Sequence, residues 1–272
     1  MTGQNNGKEL KERIDRQLED LIQSAESARA SEAFQEYLKV SAKFHKYSFG
    51  NIMLIAVQRP DATKVAGYRK WQELGRQVLK GEKGIAILAP VPRYAEIETE
   101  DGETKKAQTG IWFKGVHVFD ISQTEGDEIP ELDWQGDGRA SKVEEALLQY
   151  AAELQIDVQE YDYRGGALGW SAGGKIGYTD NGNVPRTIAH ELVHELTPEW
   201  KEKVTAVREG LTDAAAAIIC LHFGVDVRVS SANYIASWNE NPKDLLPALE
   251  KAQRVASSVI ENVESRIKEG AK

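Results

Sequence analysis

Thr187-Ile188-Ala189-His190-Glu191-Leu192-Val193-His194-Glu195 is the stretch from which the C-terminal half of this chain can be read. A helix sets residues four apart on one face, so His190 and His194 can present their imidazoles to the same ion. Glu191 follows the first of them and projects toward the ion's remaining position. Each residue type suits Zn²⁺ hydrolytic chemistry. Neutral imidazoles hold the ion without cancelling its charge, the ion lowers the pKa of water toward about 7, and a carboxylate accepts the proton during attack on a carbonyl. Glu191 is therefore the expected general base and His190 and His194 the expected zinc ligands.

A catalytic zinc needs a third protein ligand, and a second helix packed on the first is the place to seek it. Arg208-Glu209-Gly210-Leu211-Thr212-Asp213 carries two carboxylates four apart, followed by small residues, Ala214 to Ala217, that permit close helix approach. Glu209 is assigned as third ligand, with Asp213 orienting a liganding histidine through its far ring nitrogen. The exchanged assignment, Asp213 as ligand, stays open. Thr197-Pro198 ends the motif helix and leaves a short return. His222, at the end of the second helix, suits the helix dipole, while His45 and His117 lack ligand spacing. Gly169 to Tyr178 reads as a hairpin whose second strand, Lys175, Ile176, Gly177 and Tyr178, could hold an extended peptide as an edge strand. Tyr234 could serve an oxyanion, but a core aromatic suits its setting better.

Working outward, the 272 residues suit two ordinary domains. No apolar run approaches the roughly 20 residues that cross a bilayer, and the N-terminus is polar without a signal-like stretch, so no membrane partner and a cytoplasmic home are expected. The single cysteine, Cys220, excludes a disulfide framework and reads as core. The net charge of -9 argues against nucleic-acid binding by the whole surface. Between Lys39 and Arg93, however, eleven lysines and arginines face only three acids. Aromatics are interleaved with them. Positive side chains that track phosphates, together with rings on which bases stack, suit single-stranded nucleic acid. The candidates are Lys43, Tyr47, Phe49, Asn51, Tyr68, Arg69, Trp71, Arg76, Lys80 and Lys83.

Helical periodicity is expected over 8–29 and 31–45, a buried helix over 51–58 ending before Pro60, and a short helix over 68–74 closed by Gly75. Strands are expected over 85–91 and 111–119 around a polar hairpin tip. Helices follow at 142–154, at the motif, at 207–223 and after Pro242. The expected class is α+β. A helical and hairpin-bearing domain over 1–125 is joined by a linker, 126–141, to a mostly helical domain with a small sheet over 142–272.

Tyr47-Ser48-Phe49-Gly50-Asn51, Tyr68-Arg69-Lys70-Trp71 and the run Gly75-Arg76-Gln77-Val78-Leu79-Lys80-Gly81-Glu82-Lys83-Gly84 resemble the N-terminal single-stranded-DNA-binding domain of the ArdC antirestriction proteins of mobile elements. The C-terminal half is similar to the zincin-like peptidase domain that follows it there, through residues 187–195, the Arg208 to Asp213 helix and Ser231 to Trp238. The resemblance covers most of 31–260. It implies cytoplasmic binding of single-stranded DNA during DNA transfer, protection of incoming DNA from restriction, and a gluzincin-like zinc peptidase acting on a peptide or protein. Asp213 stands where related sequences tend to carry Glu. A competing reading makes the protein a DNA-protecting binder whose zinc is structural, and a third makes the basic half a module that brings protein substrates to the peptidase.

Overall fold

The computed structural model describes residues 2–23, 28–98, 104–129, 139–161, 168–180, 183–202, 205–225, 227 and 242–270. It is an α+β chain that divides into two compact units, residues 1–17 with 53–129 and residues 18–52 with 130–272. Tyr234 lies outside the described residues. Among the described residues no helix is long and apolar enough to cross a membrane.

In chain order, the elements are α1 (Thr2–Gln23), α2 (Ala28–Lys43), α3 (Phe49–Gln58), β1 (Val65–Gly67), α4 (Tyr68–Glu73), β2 (Arg76–Val78), β3 (Ile85–Glu98), β4 (Thr104–Asp120) and β5 (Thr124–Gly126). They continue with α5 (Arg139–Glu153), β6 (Asp157–Glu160), β7 (Gly169–Ser171), β8 (Lys175–Tyr178), α6 (Val184–Leu196), α7 (Thr205–His222) and α8 (Pro242–Gly270).

The first unit is organised by the antiparallel hairpin of β3 and β4, with β1 added to the far side of β4. The hairpin strands run well past the expected 85–91 and 111–119, with a register shift between Arg93 and Tyr94. Alternation decides which residues are buried. Ala86 and Leu88 on one face pack on Leu10, Ile14 and Leu54, while Ile85, Ile87 and Val118 are buried on the other. The outer edge of β3 is closed. The Gln58 side chain takes both the N–H and the carbonyl of Ala86, at 3.0 and 2.8 Å, and Pro90 and Pro92 supply no N–H farther along. The small β2–β5 ladder and the turn before β3 are pinned by Gln123, whose amide donates to Glu82 (2.7 Å) and to the Lys83 carbonyl (2.9 Å). Glu82 in the Lys-Gly-Glu-Lys-Gly run thus has a structural task, and Lys80 and Lys83 stand exposed around it.

Trp71 corrects one expectation. Its ring is 2 % exposed and its indole N–H donates to the Phe119 carbonyl at 2.9 Å, so it is unavailable for base stacking. Trp71→Ala should cost about 3–5 kcal/mol of stability in a denaturant titration. Trp71→Phe should recover most of it and leave single-strand affinity within twofold of the native protein.

The second unit is built around α7, which packs against α2, α6 and α8, while α5 packs on α6 and α8. Gly210 through Cys220 is buried without interruption; apart from Thr212 and Asp213, which face the motif helix, these residues are small or apolar. Residues 18–52 belong to this unit, unlike the sequential division at 125: Phe34 and Leu38 are buried on α2, which packs on α7, and Phe49 and Ile52 are buried at the start of α3. Glu250 accepts from the N–H groups of Phe49 and Gly50 at 3.3 and 3.2 Å, capping the start of α3. Phe49, at 1 % exposure, is therefore core and not a stacking platform. His222 has a different role from a solvated dipole partner: Nδ1 meets the Ala42 carbonyl at 2.9 Å and Nε2 meets Glu264 at 2.8 Å. That bond holds the Glu264 carboxyl down at about 2.

Beside the helices lies a three-stranded sheet ordered β6-β8-β7, with β6 parallel and β7 antiparallel to β8. This overturns the edge-strand expectation for Lys175, Ile176, Gly177 and Tyr178. That segment is the central strand, with both sides paired, so it has no free backbone groups for a peptide. Among the described residues, the unpaired edge beside the motif helix belongs to β7.

Candidate metal centre

Helix α6 begins cleanly because the Asn183 side chain accepts from the Arg186 N–H at 3.3 Å and Pro185 occupies the first turn. It ends where the Thr197 hydroxyl donates back to the Val193 carbonyl at 2.7 Å. A short 3-10 segment, Pro198–Glu202, anchored by buried Trp200, makes the return to α7. Glu195 fixes the other side of the helix: its carboxylate accepts from the N–H groups of Gly173 (3.0 Å) and Gly174 (2.6 Å). Both glycines have positive φ, +57 and +88°, which makes this turn between β7 and β8 a glycine position twice over. The motif helix and the sheet are thereby locked together within one unit.

His190, His194 and Glu209 converge. Their donor atoms form a triangle: His190 Nε2 to His194 Nε2 is 3.1 Å, and each nitrogen lies 3.3 Å from Glu209 Oε2. Among the described residues they are the group of histidine, cysteine and acidic side chains placed to hold a metal ion. Two ligand atoms about 2.1 Å from a tetrahedral ion lie about 3.4 Å apart, and cis ligands on an octahedral ion at similar range lie about 3 Å apart. The triangle fits a divalent cation of either preference.

The surroundings support each donor. His190 Nδ1 faces Asp213 Oδ1 at 3.0 Å, and Arg186 donates to that same oxygen at 3.0 Å. Asp213 thus holds the proton on Nδ1 and leaves Nε2 as the free donor atom. His194 Nδ1 faces the buried hydroxyl of Thr212 at 3.4 Å. Arg208 donates through Nε and Nη2 to Oε1 of Glu209, at 3.1 and 3.0 Å, which leaves Oε2 directed at the histidines. The local field favours positive charge. Burial opposes charging His190, yet its hydrogen bonds to Asp213 and Glu209 outweigh burial and raise it to about 9. The same contacts with His190 and His194 hold Glu209 well below the ordinary carboxylate range.

Glu191 is 7 % exposed. Burial pushes its carboxyl up, against the pull of His190 and His194. Strand β7 crosses it so closely that a Cβ at Gly169 would lie 2.8 Å from Glu191 Oε1 and 2.7 Å from Thr187 Cγ2. A side chain there would displace Glu191 or Thr187. The cavity over these groups holds about 510 Å³ and is lined also by Leu168, by Gly169 and Ser171 from the strand, and by Thr197, Lys201 and Arg208.

Sequence reasoning passed over Arg186, Thr212, Gly169 and Ser171. Arg186 lies four residues before His190, on the same helical face, and Thr212 three residues after Glu209, so helical spacing carried a signal for both. A glycine inside a strand signals close approach of another group. Ser171 left no signal.

The residues expected on single-stranded DNA fall in both units. In the first, Tyr68, Arg69, Lys80 and Lys83 are exposed, but Trp71 is core. Arg76 is spent on the Thr124 hydroxyl and on the carbonyls of Thr124, Gly126 and Asp127. In the second, Lys43 is exposed, Tyr47 and Asn51 are half-buried, and Phe49 is core. Exposed groups on the hairpin that were not singled out are Arg93, Tyr94, Ile111, Phe113 and Lys114.

Residues 4–119 match the family of the N-terminal domain of anti-restriction factor ArdC. An uncharacterized protein of Bacillus anthracis is 26 % identical over 311 aligned residues, covering 96 % of this chain and 52 % of that protein. The chain spans about half the length of that relative. The uncharacterized protein y4eC of Sinorhizobium fredii is 26 % identical over 224 residues, covering 70 % of this chain and 68 % of its own. Among solved structures, the metal-free antirestriction ArdC protein from the R388 plasmid superposes with a TM-score of 0.51 at 20 % identity, covering 82 % of this chain and 84 % of that one. Residues 4–119 thus carry the family match to the N-terminal domain of anti-restriction factor ArdC, and the chain shares its fold with the ArdC protein from the R388 plasmid.

Proposed function

We propose that the second unit is a zincin-like metallopeptidase and that the first binds single-stranded DNA, in a cytoplasmic antirestriction role during transfer of a mobile element. The observation that carries the peptidase reading is the donor triangle of His190, His194 and Glu209 with the buried carboxylate of Glu191 beside it. Zn²⁺ is the proposed ion. When bound, it supplies Lewis acidity that makes water a nucleophile near neutral pH and polarises a carbonyl. The chain's own residues do the rest. Glu191 accepts the proton of the attacking water and returns it to the departing amine. Arg208 holds Glu209 so that one oxygen alone faces the histidines, and Asp213 and Thr212 fix the ring orientations. The free edge of β7 offers backbone groups to an extended peptide laid across the cavity.

The test is reconstitution. Protein stripped by a chelator should lose hydrolysis of casein and regain it with one equivalent of Zn²⁺. Recovery with Mn²⁺ alone would reassign the ion, and no hydrolysis with either would remove the peptidase reading.

For the DNA reading, support comes from exposed Tyr68, Arg69, Lys80 and Lys83 in the unit that carries most of the family match. Binding to a fluorescent oligothymidine should weaken linearly in log–log form as salt rises. Lys80→Ala with Lys83→Ala should reduce the magnitude of that slope by about 1.4, two phosphate contacts at about 0.7 each. An unchanged slope would move the interface off this loop.

A further inference from the structure

The walls of the cavity over the metal donors are not alike in charge. On the strand side stand Leu168, Gly169 and Ser171, which carry none. The helices and the Pro198–Glu202 segment contribute Arg186, Lys201 and Arg208 to the lining. Three acids line the same space, Glu191, Glu209 and Asp213, but two of them are committed. Asp213 is shared by His190 and Arg186, and Glu209 by His190, His194 and Arg208. Those contacts neutralise Arg186 and Arg208. Lys201 differs: it is exposed, and among the described residues no acid pairs with it. Its neighbours Glu199 and Glu202 are not cavity-lining, and Glu199 is engaged by Lys251 at 3.2 Å. Among the described residues, with the histidines neutral as they are when they hold a metal, the lining charges sum to zero, so a divalent cation on the donor triangle leaves an excess of two positive charges. A ligand entering this space is best matched by a negative group placed toward Lys201.

The geometry points to Lys201 as the determinant of an anionic subsite: the cleft takes a peptide that carries a carboxylate on the side facing the Pro198–Glu202 segment. This deepens the peptidase reading and rests on it. The carboxylate has two chemical sources, an Asp or Glu side chain near the scissile bond or the free C-terminus of the peptide. Either is drawn in by the same field, since interactions at a partly enclosed site are screened less than on open surface. Lys201 takes no part in holding the donors or moving the proton, so it sets which peptide binds and leaves the chemistry to Glu191.

Binding of hydroxamates to the zinc-loaded full chain tests this without relying on turnover. N-acetylated dipeptide hydroxamates with Glu, Gln or Lys side chains, and peptide hydroxamates with a free or amidated C-terminus, are titrated by calorimetry at low and at physiological salt. The native protein should bind the Glu compound, the free-carboxylate compound, or both, about 5–10-fold more tightly than its neutral counterpart, and the Lys compound most weakly. The side-chain and C-terminal pairs tell the two sources apart. Lys201→Ala should remove the preference, and Lys201→Glu should invert it in favour of the Lys compound, both with zinc content unchanged. Equal affinities for acidic and neutral compounds in the native protein, or a preference that survives both variants, would overturn the assignment. If no hydroxamate binds while zinc stays in place, the open cleft of the peptidase reading falls and the subsite falls with it.

Discussion

Glu191→Gln should reduce peptide hydrolysis by about 10²–10⁴-fold while zinc content stays at the native level. Glutamine has the shape of glutamate, so it fits beneath β7, where a Cβ at Gly169 would already meet the side chain at 2.8 Å. It cannot accept a proton. The donors His190, His194 and Glu209 are untouched, so elemental analysis should return the same metal stoichiometry as the native protein. Hydrolysis within tenfold of native would show that another group takes the proton. The same variant separates the two biological readings. If Glu191→Gln still protects transferred DNA from restriction, protection comes from the unit proposed to bind DNA and not from hydrolysis.

Glu209→Ala should weaken zinc binding by more than the roughly 10–100-fold that loss of an outer partner costs, and Asp213→Ala should fall within that range. The ordering follows from the geometry. Glu209 Oε2 completes the triangle at 3.3 Å from both imidazole nitrogens, whereas Asp213 meets His190 on the far nitrogen, at 3.0 Å. Removing Glu209 takes away a donor; removing Asp213 loosens a ring. Competition with a chromophoric chelator measures both affinities on folded protein. The reverse ordering would make Asp213 the ligand and Glu209 the support. Arg186 adds a check, because it shares Oδ1 of Asp213 with His190: Arg186→Ala should act in the same direction as Asp213→Ala and no more strongly.

The helices were legible because their patterns are local. Apolar spacing placed α2, α3 and α4 within a few residues of their observed spans, and Pro60 and Gly75 marked two of the stops. The expected strands are shorter than the observed ones, since Arg93 to Glu96 are exposed, Thr104 to Gly110 are mostly exposed, and neither stretch carries a sustained apolar alternation to extend the strand. Aromatics in the basic stretch were the weakest reading. Phe49 and Trp71 are as apolar as any base-stacking ring, and nothing in their neighbours' identity shows that Glu250 caps one segment from 200 residues away, or that the Phe119 carbonyl receives the indole N–H. The order β6-β8-β7 was equally hidden, because a parallel pairing with β6 depends on contacts remote in sequence.

By itself, the sequence determined which metal-ligating residue types share a helical face. A four-residue spacing on a helix puts His190 and His194 on one face and Glu191 beside them, and a second four-residue spacing puts Glu209 and Asp213 on one face of the next helix. Helical periodicity is a property of the backbone and needs no partner to be read. Which carboxylate faces the Nε2 atoms and which the far nitrogen is visible only in the tertiary structure, as are the partners that hold each ring, the strand that crosses Glu191 and the lysine in the cavity lining that no acid meets among the described residues. Those depend on how far two helices stand apart and how they are rotated, and that follows from the packing of the small residues of α7 against its neighbours, a sum over many contacts that no local pattern contains.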